Sequence, residues 1–90
     1  MKVAKHLIVS GRVQGVGFRY FSQETAQQIG IKGWVRNQSD GTVELHVEGS
    51  EKDIDTFKQA LKDGNRFVGV DRIEEGEAED QAFRSFDIRY

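Results

Sequence analysis

The sequence predicts an α+β protein in which two helices cover one face of an antiparallel sheet. Several segments alternate apolar and polar residues at the period of a strand, and two carry an apolar stripe at the period of a helix. Ten glycines and no prolines separate these segments. A length of 90 residues fits one domain. We therefore expect residues 1–90 to form a single domain with a shallow site near the surface.

The first third of the chain predicts a strand, a loop and a helix. Residues 3–10 are rich in apolar and β-branched side chains and predict a strand. Residues 11–17 hold three glycines and predict a loop. Residues 18–29 predict a helix that ends at Gly30, because one stripe recurs at helical spacing. That stripe consists of Phe18, Phe21, Thr25, Ala26 and Ile29.

The middle of the chain predicts a hairpin. Residues 31–38 and 42–48 alternate at strand spacing, and Asp40-Gly41 between them is a strong signal for a tight turn. The side of the second strand expected to face water carries Thr42, Glu44, His46 and Glu48.

The last third predicts a second helix and two strands. Ser50 is expected to cap the helix, and Gly64 to end it. Its apolar stripe is Ile54, Phe57 and Leu61. Residues 66–73 predict a fourth strand, and the acidic residues 74–80 predict an exposed loop. The last strand alternates through Phe86, Ile88 and Tyr90. Up to the fourth strand the order is β-α-β-β-α-β, which is the ferredoxin-like split βαβ arrangement, with the second sheet face largely open to water.

Composition excludes several classes of function. The chain has no cysteine, so thiolate chemistry and cysteine-based metal sites are excluded, and we expect a cytoplasmic location. No apolar run approaches the ~20 residues of a membrane span, so no membrane partner is expected. The net charge is −2, which does not favour nucleic-acid binding. The first 40 residues nevertheless hold six basic and two acidic side chains, which suits a small anionic substrate.

The loop before the first helix has the chemistry of an anion site. Its glycines allow successive backbone N–H groups to converge, and the helix N-terminus adds unpaired N–H groups. Arg19 in the first helical turn opposes the helix dipole, a conflict that a bound anion would remove. The spacing is also compatible with a flexible turn that carries a surface arginine. The loop does not match the nucleotide-binding patterns. The Gly-Lys-Ser/Thr ending of a Walker loop is absent, and tyrosine at position 20 breaks the Gly-x-Gly-x-x-Gly pattern.

Two segments together closely resemble the two signatures of the acylphosphatases. Residues 11–19 read GRVQGVGFR, and residues 33–44 read GWVRNQSDGTVE. Length and element order also match that family from end to end. The resemblance implies a small enzyme that hydrolyses acyl phosphates to carboxylate and phosphate, without a metal or cofactor. Its only expected partner is the small-molecule substrate, and we expect a monomer.

The resemblance also implies the roles of individual residues. Arg19 would bind the phosphoryl group together with loop amides, and Asn37 would orient the attacking water. The amides are those of Gly15, Val16, Gly17, Phe18 and Arg19. These roles agree with the general needs of phosphoryl transfer, which are charge stabilisation and an in-line nucleophile.

Other residues and one rival function carry less weight. His6 and His46 are expected on strand surfaces, and Trp34 in packing; Tyr20 is left without a role. The rival is a non-catalytic anion- or ligand-binding module on the same fold. RNA recognition is disfavoured because the expected outer side of residues 42–48 is acidic and lacks aromatic side chains.

Overall fold

Five strands and two helices follow one another along the chain. The computed structural model describes residues 1–90. The elements are β1 (Lys2–Arg12), α1 (Phe18–Ile29), β2 (Lys32–Asn37), β3 (Val43–Ser50), α2 (Glu51–Asp63), β4 (Gly69–Glu77) and β5 (Phe86–Arg89). Neither helix combines the length and the apolar character needed to cross a membrane.

The strands form one sheet in the order β4-β1-β3-β2-β5. The first four strands pair antiparallel, which confirms the ferredoxin-like prediction. The fifth strand pairs parallel with β2 at the sheet edge, so the complete sheet is mixed and not antiparallel throughout as predicted. This extra pairing places the end of β5 beside the end of β2, where Asn37 lies.

The sequence signals for helix ends are confirmed. The predicted helix over 18–29 is α1, and the N–H of Gly30 donates to the carbonyl of Ala26 at 2.8 Å. The hydroxyl of Ser50 accepts from the N–H of Asp53 at 3.1 Å, which is the expected N-cap of α2.

Two predicted boundaries are wrong. Gly11 and Arg12 belong to β1 rather than to the following loop, because β4 pairs with them. The strand predicted over 66–73 begins at Gly69 and runs through the acidic residues to Glu77. The expected loop over residues 74–80 is therefore partly strand. Backbone pairing with β1 overrides the local acidic composition.

The hydrophobic core lies between the helices and one face of the sheet. The register places Leu7 of β1, Leu45 of β3 and Val35 of β2 side by side, and all three side chains are fully buried. Phe57 of α2 packs on Phe86 of β5 with ring centroids 6.0 Å apart. Phe18 and Ala26 of α1 belong to the same core as Val35 of β2, so α1 and β2 share one close-packed scaffold.

The prediction that the second face of the sheet is open to water is wrong at one corner. His46 and Glu48 are 4% and 0% exposed. Residues 78–85, here called the crossing segment, connect β4 at one edge of the sheet to β5 at the other. The carboxylate of Glu48 accepts from the backbone N–H groups of Gln81 at 2.6 Å and Phe83 at 3.0 Å. The crossing segment therefore covers the two side chains expected in water.

Aromatic and acidic side chains complete this corner. The ring of His46 stacks on Trp34 and meets Phe83 edge-on, and its Nε2 lies 2.7 Å from Glu48. Burial by itself raises the pKa of Glu48. The hydrogen bonds from Gln81 N–H, His46 and Phe83 N–H outweigh burial and hold that pKa below its ordinary range. Glu48 is thus a charged anchor for the segment that leads into β5.

Candidate active site

The loop between β1 and α1, residues 13–17, leads into the N-terminus of α1, which no side chain caps. Gly15 and Gly17 have φ angles of 74° and 80°, in the left-handed region that favours glycine. Gly17 is the N-cap residue, no side chain caps the helix, and its first turn holds no acidic residue. The N–H of Phe21 donates to the carbonyl of Gly17 at 2.9 Å. The amides that precede Phe21 in α1 therefore have no acceptor within the helix.

A cavity of about 270 Å³ opens at this helix end. Nine residues line it: Val13, Gly15, Gly17, Phe18, Arg19, Tyr20, Asn37, Ile88 and Tyr90. Arg19 is the single charged side chain among them. The cavity therefore combines a guanidinium, a glycine-containing turn and a helix N-terminus, all of which favour an anion.

The last strand holds Arg19 in place. One terminal guanidinium nitrogen of Arg19 donates to the backbone carbonyl of Arg89 at 3.1 Å. The guanidinium carbon lies 4.6 Å from the centroid of the Tyr90 ring. One turn further along α1, the side-chain amide of Gln23 donates to the carbonyl of Phe86 at 2.9 Å. Two α1 side chains thus bind edge carbonyls of β5, and the arginine keeps four of its five N–H donors for a ligand.

Asn37 lies at the end of β2 and lines the same cavity. Its side-chain oxygen is buried and has no hydrogen-bond partner in the protein. A buried acceptor without a partner costs roughly 1–3 kcal/mol, so it calls for a donor from outside the chain. A water molecule or a ligand hydroxyl would supply that donor.

Gln14 joins the loop to the β2–β3 hairpin. Its side-chain amide donates to the carbonyls of Gln38 at 2.7 Å and Thr42 at 2.8 Å. The hairpin turn itself is closed by hydrogen bonds to the Asp40 carboxylate from the Thr42 hydroxyl and amide. These bonds hold the pKa of Asp40 below its ordinary value. The turn predicted at Asp40-Gly41 is confirmed, and Gln14 ties it to the loop that precedes Arg19.

Arg36 points away from the cavity although it precedes Asn37. Its Nε and one terminal nitrogen donate to a carboxylate oxygen of Glu44 at 3.0 and 2.6 Å. Burial raises the pKa of Glu44, but hydrogen bonds from His6 and Arg36 outweigh it and lower that pKa overall. Arg36, the cation nearest to Asn37 in sequence, is therefore paired with Glu44 on the second face of the sheet. Arg19 is the cation that lines the cavity.

The structure brings together most residues that the sequence singled out. The predicted residues Gly15, Gly17, Phe18, Arg19 and Asn37 all line the cavity. Val16 is not among the lining residues, and its side chain packs against the hydrophobic core; its predicted contribution is its backbone N–H. The histidines lie elsewhere: His6 is on β1, 2.7 Å from Glu44, and His46 is under the crossing segment.

Sequence reasoning missed three side chains of the cavity wall. Val13, Ile88 and Tyr90 line it, and Tyr20, which had no assigned role, does so as well. The alternation in β5 placed Ile88 and Tyr90 on one side of a strand, yet only the parallel pairing with β2 brings that side to Asn37. No group of three or more histidine, aspartate or glutamate side chains is arranged to hold a metal ion.

Comparison with known proteins identifies the family. The family model described as Acylphosphatase matches residues 5–88. The chain belongs to the acylphosphatase family. An acylphosphatase of a Nocardioides species is 43% identical over 89 residues, which are 99% of this chain and 90% of that protein. One from Archaeoglobus fulgidus is 42% identical over 88 residues, or 98% of this chain and 99% of that protein. The family-level prediction of an enzyme, an acylphosphatase, is thereby confirmed.

A solved structure extends the likeness to three dimensions. The crystal structure of acylphosphatase from Bacillus subtilis superposes with a TM-score of 0.92 at 42% identity, and the match covers 100% of both chains. The ferredoxin-like arrangement predicted from the element order is therefore the arrangement of this family.

Proposed function

We propose that this chain hydrolyses acyl phosphates to a carboxylate and inorganic phosphate, with Arg19 binding the phosphoryl group and Asn37 orienting the attacking water. One observation carries the proposal. Arg19 and Asn37 line one small cavity at the uncapped start of α1, and the side-chain oxygen of Asn37 has no partner in the protein. The cavity is below the usual 300–1,000 Å³ of ligand pockets, so it suits a small substrate.

The phosphoryl group is bound by Arg19 and the loop amides. The planar guanidinium offers paired donors that match phosphate oxygens. The amides from Gly15 to Arg19 lie at the turn and the first helical residues, where the helix dipole adds positive potential. Because charge develops on the phosphoryl oxygens in the transition state, these fixed donors stabilise that state without reorganising.

Asn37 positions the nucleophile. Its buried side-chain oxygen accepts a hydrogen bond from a water that attacks phosphorus in line with the leaving carboxylate. A new bond forms between the water oxygen and phosphorus, and the bond between phosphorus and the acyl oxygen breaks. The carboxylate leaves with that electron pair. The water proton passes to a phosphoryl oxygen of the substrate, because no aspartate, glutamate or histidine side chain lines the cavity to accept it.

The proposed reaction requires no metal ion or cofactor. Arg19 and the amides supply the positive potential that a divalent cation supplies in other phosphoryl transfers. The absence of cysteine from the 90 residues supports our proposal of a cytoplasmic location.

Hydrolysis of benzoyl phosphate, followed by ultraviolet absorbance with a chelator present, tests this function. Arg19→Lys keeps the charge and removes the planar fork, so we expect kcat/KM to fall by about 10²-fold or more. Asn37→Ala should lower kcat by about 10²–10³-fold and leave the inhibition constant of phosphate within about twofold.

The outcomes separate the two candidate functions. Turnover that survives chelation and collapses in both variants supports the metal-free mechanism. A folded wild-type protein that binds phosphate but turns over no acyl phosphate would instead be a non-catalytic anion-binding module. An Asn37→Ala variant that keeps kcat and loses phosphate affinity would contradict the water-positioning role.

A further inference from the structure

The cavity has an apolar wall that phosphate binding does not use. Its polar side consists of Gly15, Gly17, Arg19 and Asn37. Its apolar side consists of Val13, Phe18, Tyr20, Ile88 and Tyr90. A phosphoryl group presents charged oxygens only, so it gains nothing from an apolar wall. The remaining part of an acyl phosphate is the acyl group, which this wall could contact.

Most of the apolar wall is already occupied by packing. Val13 and Phe18 are each 1% exposed and belong to the core, and Ile88 packs against it. Tyr20 and Tyr90 are 65% and 96% exposed. They are the two exposed aromatic side chains at the cavity.

The two tyrosines differ in their contacts. The ring of Tyr90 lies beneath the Arg19 guanidinium, 4.6 Å from its carbon. Tyr20 takes part in none of the aromatic or cation–π pairs of the molecule, and its hydroxyl makes no hydrogen bond within the protein. Tyr90 therefore supports the arginine, whereas the ring of Tyr20 is free to meet a ligand.

In-line attack by a water at Asn37 places the acyl group on the side of phosphorus away from Asn37. In the proposed reaction the water lies on the Asn37 side of phosphorus, and Asn37 belongs to β2. The leaving group must lie on the opposite side of phosphorus. Tyr20 follows Arg19 in the first turn of α1 and lines the cavity, whereas Asn37 lines it from the end of β2.

We propose that Tyr20 determines acyl-group specificity by packing its exposed ring on the acyl group, which favours small acyl phosphates with a flat aromatic acyl group over short aliphatic ones. The proposal rests on the hydrolysis proposed above. Contact between two aromatic rings of this kind changes an equilibrium by about three- to tenfold.

A comparison of the kcat/KM values of two substrates tests the proposal. Benzoyl phosphate and acetyl phosphate carry the same phosphoryl group and differ in the acyl group. Tyr20→Ala should lower kcat/KM for benzoyl phosphate by about three- to tenfold relative to wild type, mainly through KM. The value for acetyl phosphate and the inhibition constant of phosphate should each stay within about twofold. Tyr20→Phe should keep the wild-type preference, because the hydroxyl is unbonded.

Phe67→Ala is the matched control. Phe67 is an aromatic side chain of similar exposure, 59%, and it does not line the cavity. Its loss should therefore leave kcat/KM unchanged for both substrates. An unchanged ratio between the two substrates in Tyr20→Ala would overturn the specificity role while hydrolysis stands. An equal loss for both substrates would also overturn it, because it would assign Tyr20 to the scaffold. Failure of the folded wild type to hydrolyse either substrate would overturn the hydrolysis and the subsite together.

Discussion

Replacing Gln14 should uncouple the glycine-containing loop from the hairpin that carries Asn37. The side-chain amide of Gln14 donates to the carbonyls of Gln38 and Thr42 at 2.7 and 2.8 Å. No other side-chain hydrogen bond joins residues 13–17 to this hairpin. Gln14→Ala removes both bonds at once.

The expected loss of unfolding free energy in Gln14→Ala depends on the hydrogen bonds that the two carbonyls keep. Thr42 O still accepts from the N–H of Gln38 at 2.9 Å, and Gln38 O from the N–H of Gly41 at 3.2 Å. Neither carbonyl is left without a partner, so the larger penalty for an unsatisfied buried group does not apply. Two net hydrogen bonds correspond to about 1–2 kcal/mol of unfolding free energy, or roughly 5–15 °C in Tm for a domain of this size.

A second variant sharpens this test. Gln14→Glu keeps the shape but faces two carbonyl oxygens with a carboxylate that cannot donate, so we expect it to be less stable than Gln14→Ala at pH 7. Because the charged form is disfavoured in the folded state, the pKa of the new carboxyl rises on folding. The difference in unfolding free energy between wild type and Gln14→Glu therefore shrinks as pH falls toward 4.

Circular-dichroism melts at pH 7 and pH 4, together with benzoyl phosphate kinetics, provide the readout. Both variants should lose more in kcat than in phosphate affinity, because Asn37 moves relative to Arg19. Gln59→Ala is the control, since Gln59 makes a single exposed bond to Asp63 within α2. A Gln14→Glu protein as stable as wild type at pH 7 would refute the reasoning.

Three further predictions follow from the same contacts. Glu48→Gln should cost about 2–3 kcal/mol at pH 7, since it removes a charged acceptor of two amides in residues 81–83. The lowered pKa of Glu48 means that its contribution is present above the ordinary carboxyl pKa and is lost as pH falls through the lowered value, so urea titrations of the two proteins should converge in acid. Phosphate at 100 times its Kd should stabilise wild type by about 2.7 kcal/mol, and a melt of Arg19→Ala in the same phosphate should show little of this gain. Gln23→Ala removes a donor to Phe86 O in β5, so we expect a loss of about 1 kcal/mol and a higher KM for benzoyl phosphate in steady-state assays, because the same strand holds Arg19.

Local chemistry decided the parts of the fold that were predictable. Gly30 and Ser50 are the residue types that end and begin helices, and both do so here. The Asp40-Gly41 turn likewise follows from short-range backbone preferences. The end of β4 could not be predicted in this way, because residues 74–77 become a strand only through pairing with β1.

Burial on the second sheet face depends on a distant segment. Alternation in β3 correctly separated Leu45 and Val47 from His46 and Glu48. It could not show that the crossing segment lies over the second pair, since that contact joins residues more than 30 positions apart. From alternation alone, a polar residue on a strand is predicted to be exposed unless the segment that covers it is known.

The sequence by itself determined the family, the order of elements and two functional candidates, Arg19 and Asn37. These follow from short motifs, whose meaning is carried by neighbouring residues. Only the tertiary structure decided that β5 pairs parallel with β2, which sets Tyr90 beneath Arg19 and closes the cavity beside Asn37. The physical reason is that strand pairing at a sheet edge is chosen by the packing of the whole chain, whereas a strand's own alternation specifies its two sides but not its neighbour.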